Sequence, residues 1–259
     1  MKKQLNKNLY TQFQILCIAS LFVACVSPKK MVYFQDIEGA EANETIVNYE
    51  PKIQVGDLLS INVSAIDGEA AMPFNLYETP MIGSGVSNAK PLTYLVNTDG
   101  EINFPVLGTL KVEGLSTKIL AADLTKTLAD YLKSPIVNIR LINFKVTVLG
   151  EVKVPGSYTI PNERISIIEA IGLAGDLTIQ GRRSTVLLIR EQEGERKFVT
   201  IDLTNKKLFN SPYYYLAQND VIYIEPNKTK LNSSAVGSNT GVILSSVSIL
   251  ITLITLLTR

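Results

Sequence analysis

The sequence predicts an α+β protein built from two small β-rich units, each with one helix, followed by a C-terminal transmembrane helix. Alternating apolar and polar runs, separated by Gly, Pro and Asp, indicate strands joined by turns. Helix signals follow Ser116 in the first unit and Ser166 in the second, where apolar residues recur at helical spacing. An uncharged apolar run at residues 242–257 indicates the terminal helix.

The N-terminus has the signature of a secretory signal peptide over residues 1–24. A basic start leads through an apolar stretch to Ala24, and this stretch is shorter than the roughly 20 residues of a membrane span. Cys25 then begins the mature chain as its only cysteine, in a context that resembles the lipobox of bacterial lipoproteins. We therefore predict acylation of Cys25, with residues 25–48 as a lipidated N-terminal tether.

Composition excludes several classes of function. The formal net charge is +1, and loss of the signal peptide removes three lysines and no acidic residue, which leaves −2 (+1 − 3) and no basic field for nucleic acid. Histidine is absent, which excludes Ser-His-Asp and Cys-His catalysis and any His-ligated metal. We expect no metal, no cofactor and no enzymatic activity.

The first unit, residues 49–143, is predicted to contain strands around one helix. Asp99-Gly100 predicts a hairpin between strands at 94–97 and 101–105. A helix capped by Ser116 ends before Pro135, and a strand follows. Residues 67–91, which contain several Gly and Pro residues, are predicted to form a long excursion. The structural turn residues of this unit are Gly56, Asp57, Gly100, Pro105 and Gly108.

The second unit, residues 144–228, repeats this plan. Ser166 and Glu169 form a capping box at the start of its helix. Five strands are predicted, at 145–152, 157–160, 185–190, 197–203 and 221–224. The structural turn residues that shape the hairpin of the first two strands are Gly150 and Glu151, near the end of the first strand, and Pro155 and Gly156, before the second.

A short echo links the two units. Gln218-Asn219-Asp220 enters the last strand of the second unit, as Gln54-Val55-Gly56-Asp57 enters the first strand of the first unit. Asparagine replaces the turn glycine, because it tolerates left-handed backbone geometry.

The order of these motifs resembles that of bacterial polysaccharide-export outer-membrane lipoproteins. Residues 56–59, 100–108 and 114–116, with the helix that follows, are similar to the polysaccharide export domain of that family. The stretch from Val148 to Tyr158, which contains G-E-V-x-x-P-G-x-Y, is similar to its soluble-ligand-binding β-grasp domain. Glu169-Ala170-Ile171 and Ala174-Gly175 extend that second similarity.

The resemblance implies a homo-oligomeric ring at the outer membrane, lipid-anchored and with its main body in the periplasm. Such a ring forms a conduit for capsular polysaccharide or exopolysaccharide. The resemblance also implies an inner-membrane polysaccharide co-polymerase, often coupled to a tyrosine kinase, as partner. Because longer relatives carry two or more β-grasp units and this chain has one, we expect a shorter periplasmic body.

The C-terminal transmembrane helix is predicted at residues 241–258, after a linker at 229–240. As a helix, residues 242–257 extend about 24 Å, which is short for a hydrocarbon core of about 30 Å and better matched to the thinner outer membrane. We hypothesise that hydroxyl groups on one stripe line the pore of the ring, at Ser245, Ser248, Thr252 and Thr255. The alternative is that these hydroxyls bond their own backbone or help to pack two helices.

Two other functions compete with the export conduit. One is a periplasmic glycan- or ligand-binding lipoprotein with an extra C-terminal membrane anchor. The other is an enzyme that uses Asp57 or Glu151, which is disfavoured because acidic residues beside turn glycines usually serve local hydrogen bonding. Five basic residues could bind an acidic polymer or the partner protein, or could form an ordinary solvated hairpin face. They are Arg182, Arg183, Arg190, Arg196 and Lys197.

Overall fold

The structure of the protein, a computed structural model, describes residues 31–36, 49–77, 91–192, 194–235 and 240–257. Within these ranges the chain has the mixed α+β character that the sequence predicts. The strands build a three-stranded sheet, a five-stranded sheet and a two-stranded hairpin. The signal peptide and Cys25 lie outside the described residues.

The first unit is organised around the three-stranded sheet. Its elements are β1 (Leu58–Ser64), α1 (Gly68–Ala71), β2 (Tyr94–Leu95), β3 (Glu101–Phe104), β4 (Gly108–Lys111), α2 (Thr117–Leu128) and β5 (Ile136–Leu141), with a 3₁₀ helix at Met72–Phe74. The sheet has the order β2-β1-β5 and is antiparallel throughout. One face of β1 is buried, and α2 lies against β5.

Local signals explain where α2 begins and which face it buries. The Ser116 hydroxyl accepts a hydrogen bond from the Ile119 N–H and so satisfies one of the free donors at the helix start. Leu120, Leu124 and Leu128 are buried at helical spacing. The helix predicted from Ser116 is therefore confirmed, although it ends at Leu128, before Pro135.

The hairpin predicted at Asp99-Gly100 is wrong in its strand pairing. The chain does turn there, since the Asn97 N–H donates to the Glu101 carbonyl and the Asn97 side chain accepts from the Glu101 N–H. However, β2 pairs with β1, whereas β3 pairs with β4 across residues 105–107. The side chain of Asn97 accepts the hydrogen bond from the Glu101 N–H that a neighbouring strand would otherwise accept. The chain therefore leaves one sheet and begins a separate hairpin.

The second unit is organised around the five-stranded sheet. Its elements are β6 (Lys145–Gly150), β7 (Gly156–Thr159), α3 (Ile167–Leu173), β8 (Gly181–Gln192), β9 (Glu195–Ile201) and β10 (Val221–Pro226), with a 3₁₀ helix at Lys206–Asn210. The sheet order is β7-β6-β10-β8-β9, and only the β10–β6 pair is parallel. The capping box of Ser166 and Glu169 is confirmed, and α3 buries Ile167, Ala170 and Ile171.

The predicted C-terminal transmembrane helix is wrong. The end of the chain forms α4 (Lys228–Ala235) and α5 (Thr240–Leu257), but no helix among the described residues is long and apolar enough to cross a membrane. The apolar part of α5, residues 242–257, extends about 24 Å, less than the hydrocarbon core of about 30 Å. Hydroxyl side chains also interrupt its apolar surface.

Gly150 fixes the spacing between two central strands. It has a φ of 92° and faces β10, where a Cβ would lie 2.1 Å from the Ile224 carbonyl oxygen. Any other residue would therefore meet both backbone strain and a backbone clash. By contrast, a Cβ at Gly172 in α3 would meet nothing within 4 Å.

We predict that Gly150→Ala lowers the free energy of unfolding by at least about 2 kcal/mol, because the strain adds to a forced separation of β6 and β10. The control Gly172→Ala should raise it by about 0.5–1 kcal/mol, since alanine favours a helix over glycine. Denaturant unfolding of the detergent-solubilised chain measures both. Equal stabilities for the two variants would contradict the prediction.

Candidate functional site

Polar side chains fix the junction between the two sheets. The Asn143 amide accepts from the Leu58 N–H at 2.9 Å and donates to the Gly56 carbonyl at 3.1 Å. The Gln218 amide accepts from the Lys145 N–H at 2.7 Å and donates to the Asn143 carbonyl at 2.8 Å. Each amide thus binds one donor and one acceptor of the backbone, which gives the link a defined geometry.

Glu163 forms a second connection between the units. Its loop lies between β7 and α3, and it has a φ of 56°, which is unusual for a residue with a side chain. One carboxylate oxygen accepts from the Leu141 N–H at 2.7 Å, and the other accepts from the Thr117 hydroxyl at 3.5 Å. The second unit therefore binds the end of β5 and the start of α2 in the first unit.

The two echoed turns have the same geometry. Asp57 accepts from the Gln54 N–H at 2.8 Å, and Asp220 accepts from the Ala217 N–H at 2.8 Å. Gly56 and Asn219 precede these aspartates with φ values of 85° and 63°. Gln54 is therefore equivalent to Ala217, one position before the Gln218 that the sequence echo suggests. This shift frees Gln218 for the junction.

The environments of the two aspartates differ. Asp57 is fully buried, and its second oxygen has no hydrogen-bond partner among the described residues. Burial raises the pKa of Asp57 to about 6, although the Gln54 N–H and the nearby Gln218 amide act to lower it. The ionised form of Asp57 is therefore costly at neutral pH.

Asp220 instead has a buried arginine partner. The Arg190 guanidinium donates to both carboxylate oxygens, with its closest contact at 2.7 Å, and also donates to the Tyr215 carbonyl at 3.0 Å. Burial alone lowers the pKa of Arg190, but its hydrogen bonds to Asp220 and the charge of Asp220 raise it. This buried pair secures the start of β10.

Tyrosines surround that pair. The Arg190 guanidinium lies 5.2 Å from the ring centre of Tyr213, and Arg164 lies 4.3 Å from that of Tyr215. Tyr49, at the start of the first unit, stacks on Tyr215 with ring centres 5.5 Å apart. Aromatic contacts thus hold the chain that enters the first unit against the second unit.

A cleft of about 670 Å³ opens beside the junction, between the first unit and the tip of the β8–β9 hairpin. Its first wall includes Lys52, Gln54 and Glu113, and its second includes Glu191 and Arg196. Two of these charges pair with each other, Arg196 with Glu191, and Glu113 pairs with Lys111 at 3.0 Å. Lys52 and Glu195 also line the cleft and have no ion pair in the described part of the chain, so its walls are polar and carry charges of both signs.

The basic group predicted along the hairpin is mostly neutralised. Arg182 pairs with Glu225 at 2.7 Å, and Arg190 and Arg196 have the acidic partners described above. Arg183 is buried and donates to the Gly181 carbonyl. Lys197 has no ion-pair partner in the described part of the chain. This arrangement agrees better with an ordinary hairpin face than with an acidic-polymer site.

Side-chain contacts stabilise the turn predicted at Pro155 and Gly156. Glu151 accepts from the Thr178 hydroxyl at 2.8 Å, and the Tyr158 hydroxyl donates to the Val154 carbonyl. Gly156 begins β7, directly after Pro155. The conspicuous G-E-V-x-x-P-G-x-Y stretch thus has a local structural explanation for most of its residues.

The turn residues predicted in the first unit lie in two places. Gly100 has a φ of 72° and ends the turn after Asn97. Pro105 and Gly108 bound the turn between β3 and β4. These residues lie apart from the junction, whereas Gly56 and Asp57 belong to it.

The hydroxyls predicted to line a pore bond to the backbone of α5. Ser245 donates to Gly241, Ser248 to Ser245 and Thr252 to Ser248. The side chain of Thr255 lies outside the described residues. This is the geometry of the backbone-bonding alternative. The pore-lining hypothesis depended on a membrane span, so the correction to α5 removes its basis.

Sequence comparisons identify what the two units are similar to. The family described as polysaccharide biosynthesis/export protein matches residues 46–142, and the SLBB domain matches residues 145–200. The EPS I polysaccharide export outer membrane protein EpsA of Ralstonia solanacearum is 26% identical over 204 residues, which are 74% of this chain and 52% of that protein. The protein of the same name from Ralstonia nicotianae is 30% identical over 161 residues, 59% of this chain and 42% of that protein. The chain thus spans about half the length of the curated relatives it matches.

We predict that Arg190→Ala lowers the free energy of unfolding by about 3–5 kcal/mol, because it leaves Asp220 buried and without its cation. The control Arg182→Ala removes an exposed ion pair and should cost at most about 1 kcal/mol. Denaturant unfolding at pH 7 measures both. A similar loss in both variants would contradict the importance of the buried pair.

We predict that Asp57→Asn becomes more stable relative to the wild type as the pH rises from 4 to 7. The folded state holds the Asp57 proton more tightly than the unfolded state, so its contribution is present at low pH and is lost as the pH passes about 6. The relative gain is on the order of 2 kcal/mol. Unfolding curves across this pH range measure it.

Asp99→Asn, at an exposed turn position, controls for the loss of one carboxylate. A constant stability difference between Asp57→Asn and the wild type over the whole pH range would show that Asp57 does not titrate in this way.

Proposed function

Because the chain belongs to the polysaccharide biosynthesis/export family, we propose that it is a component of a polysaccharide-export machine and not an enzyme. The observation that carries this proposal is the match of both families in order, on two sheets held together by the junction. In this assignment, residues 49–143 form the polysaccharide export domain and residues 144–228 the β-grasp domain. The outer-membrane location predicted from the sequence is supported by the names of both relatives.

The machine is a ring of identical subunits that conducts capsular polysaccharide or exopolysaccharide. The outer face of the five-stranded sheet supports subunit contacts, because it presents a row of apolar side chains. Leu149 and Tyr223 are 41% and 37% exposed and are paired in register across β6 and β10. Phe198, opposite Ile189 on β8, is 63% exposed. An apolar surface of this kind is typical of a protein contact.

The outer face of the three-stranded sheet provides a contrast within the same chain. There, Ser60 lies opposite Arg140, and Asn62 lies opposite Asn138. These side chains are polar, as expected where a sheet faces water. Leu95 and Ile136, each 60% exposed, lie only on the two edge strands of this face, so its centre is polar. In the five-stranded sheet the apolar side chains include Tyr223 on the central strand, which supports its use as a contact surface.

Acylation of Cys25 holds each subunit at the outer membrane, with the two sheets in the periplasm. The partner is an inner-membrane polysaccharide co-polymerase, often coupled to a tyrosine kinase, which supplies the polymer. The alternative function, a periplasmic glycan- or ligand-binding lipoprotein, is favoured by one observation, the cleft of about 670 Å³ beside the junction. Its walls carry charges of both signs and suit a polar ligand.

We predict that the gently extracted wild-type chain forms closed rings in particle images. A double variant, Leu149→Ser with Phe198→Ser, should reduce the ring fraction about tenfold, because it replaces apolar contact surface with hydroxyls. In a strain that lacks the protein, the wild-type chain should restore surface polysaccharide and the double variant should not.

Leu95→Ser is the matched control, since Leu95 is 60% exposed in the first unit and lies in the other sheet. It should form rings and restore surface polysaccharide as the wild type does. Monomers from the wild-type chain, together with measurable glycan binding and unchanged export in the deletion strain, would instead support the binding lipoprotein.

A further inference from the structure

The chain that follows Cys25 is docked on the second unit within residues 31–36. The Phe34 N–H donates to the Leu203 carbonyl at 3.3 Å, and the Gln35 N–H donates to the Thr204 carbonyl at 2.8 Å. In return, the Asp36 carboxylate accepts from the Lys206 N–H at 2.7 Å. The segment is therefore a turn, with Phe34 at a φ of 50°, that is held by main-chain hydrogen bonds against the chain just after β9.

Side chains make this contact specific. The Tyr33 hydroxyl donates to the Asp176 carboxylate, and the Tyr33 ring lies 5.1 Å from the guanidinium of Arg183, which is 7% exposed. The Phe34 ring lies 5.1 Å from that of Phe209. A flexible tether would not need a buried arginine and an aromatic partner placed beneath it.

The docking position also defines one end of the five-stranded sheet. The Leu203 N–H donates to the Arg183 carbonyl, so the docked segment lies beside the start of β8. Pro226, at the end of β10, pairs with Gly181 at that same start, and the Asn227 N–H donates to the Gln180 carbonyl. The chain leaves for α4 and α5 from this end, whereas the junction lies at the other end, beside Lys145.

We propose that residues 31–36 form a docking segment that binds the second unit and holds the acylated N-terminus at the end of the sheet from which the C-terminal helices leave. This inference rests on the acylation of Cys25 in the proposed function. Six Cα–Cα steps separate Cys25 from Met31, so they span at most about 20 Å. The lipid is therefore held close to the surface around Lys206, and the first unit is directed away from the membrane.

The docking itself is tested by hydrogen exchange on the full, acylated chain. The amides of Phe34 and Gln35 should exchange at least about tenfold faster in a variant with Tyr33→Ala and Phe34→Ala than in the wild type. Val32→Ala is the control, because Val32 lies within the segment but its side chain is 54% exposed. Unprotected Phe34 and Gln35 amides in the wild type would refute the docking.

The position of the membrane is tested by energy transfer to headgroup-labelled lipid in vesicles. The acylated chain has no free cysteine, so Lys207→Cys and Asp99→Cys each give one exposed labelling site, near the docking segment and in the first unit. Transfer should be strong from position 207 and weak from position 99. In the Tyr33→Ala, Phe34→Ala background, this difference should shrink. Equal transfer from both positions in the undisturbed chain would overturn the proposal.

These results separate the docking from the proposed function. If mass spectrometry shows that Cys25 carries no acyl group, the lipid anchor is removed from the proposed function. The protection of the Phe34 and Gln35 amides still reports the docking in that case. If the wild-type Phe34 and Gln35 amides are unprotected while surface polysaccharide is normal, the docking of residues 31–36 is rejected and the export function stays in place.

Discussion

The structure depends on the need to satisfy backbone hydrogen-bonding groups where the two sheets meet. Neither sheet can extend across the link at Asn143, so backbone donors and acceptors there need side-chain partners. Asn143 and Gln218 each supply one donor and one acceptor, and Glu163 adds a carboxylate from the second unit. Because an amide can serve both kinds of group at once, two side chains are enough to fix the link. The relative position of the sheets, the cleft and the entry to β10 all follow from this arrangement.

The two aspartate turns share one backbone conformation but lie in different electrostatic environments. Both turns use the carboxylate to bind an N–H three residues earlier. At Asp220 the remaining charge is balanced by Arg190 on the neighbouring strand, so the turn is locked together with β8. Asp57 has no cationic partner among the described residues, so burial favours its neutral form. The first turn therefore holds a carboxylate whose burial is not offset by an ion pair, directly beside the junction.

The sequence predicts local structure well where one short-range signal decides the outcome. Ser116 and the Ser166–Glu169 box mark the starts of α2 and α3, because caps act within one helical turn. The Asp99-Gly100 turn shows the limit of local signals, because the strands on its two sides do not pair with each other. The Glu101 N–H instead donates to the side chain of Asn97. Asn143 and Glu163 have no local signal, because their partners lie in the other unit. The apolar run of α5 gave a helix correctly, but a run of residues does not by itself establish a membrane span.

The central strand β10 connects the two ends of the second unit. It begins beside Asp220 and Gln218 at the junction and ends at Pro226, where the chain turns toward α4 and α5. β6 and β8 pair with it on both sides, and Ile222 and Ile224 are fully buried. A strand held in this way cannot shift without breaking two ladders of hydrogen bonds and the core beneath them. The docking end of the sheet and the junction are therefore connected by one strand that is paired on both sides, and Asn143, Gln218 and Glu163 extend this connection to the first unit.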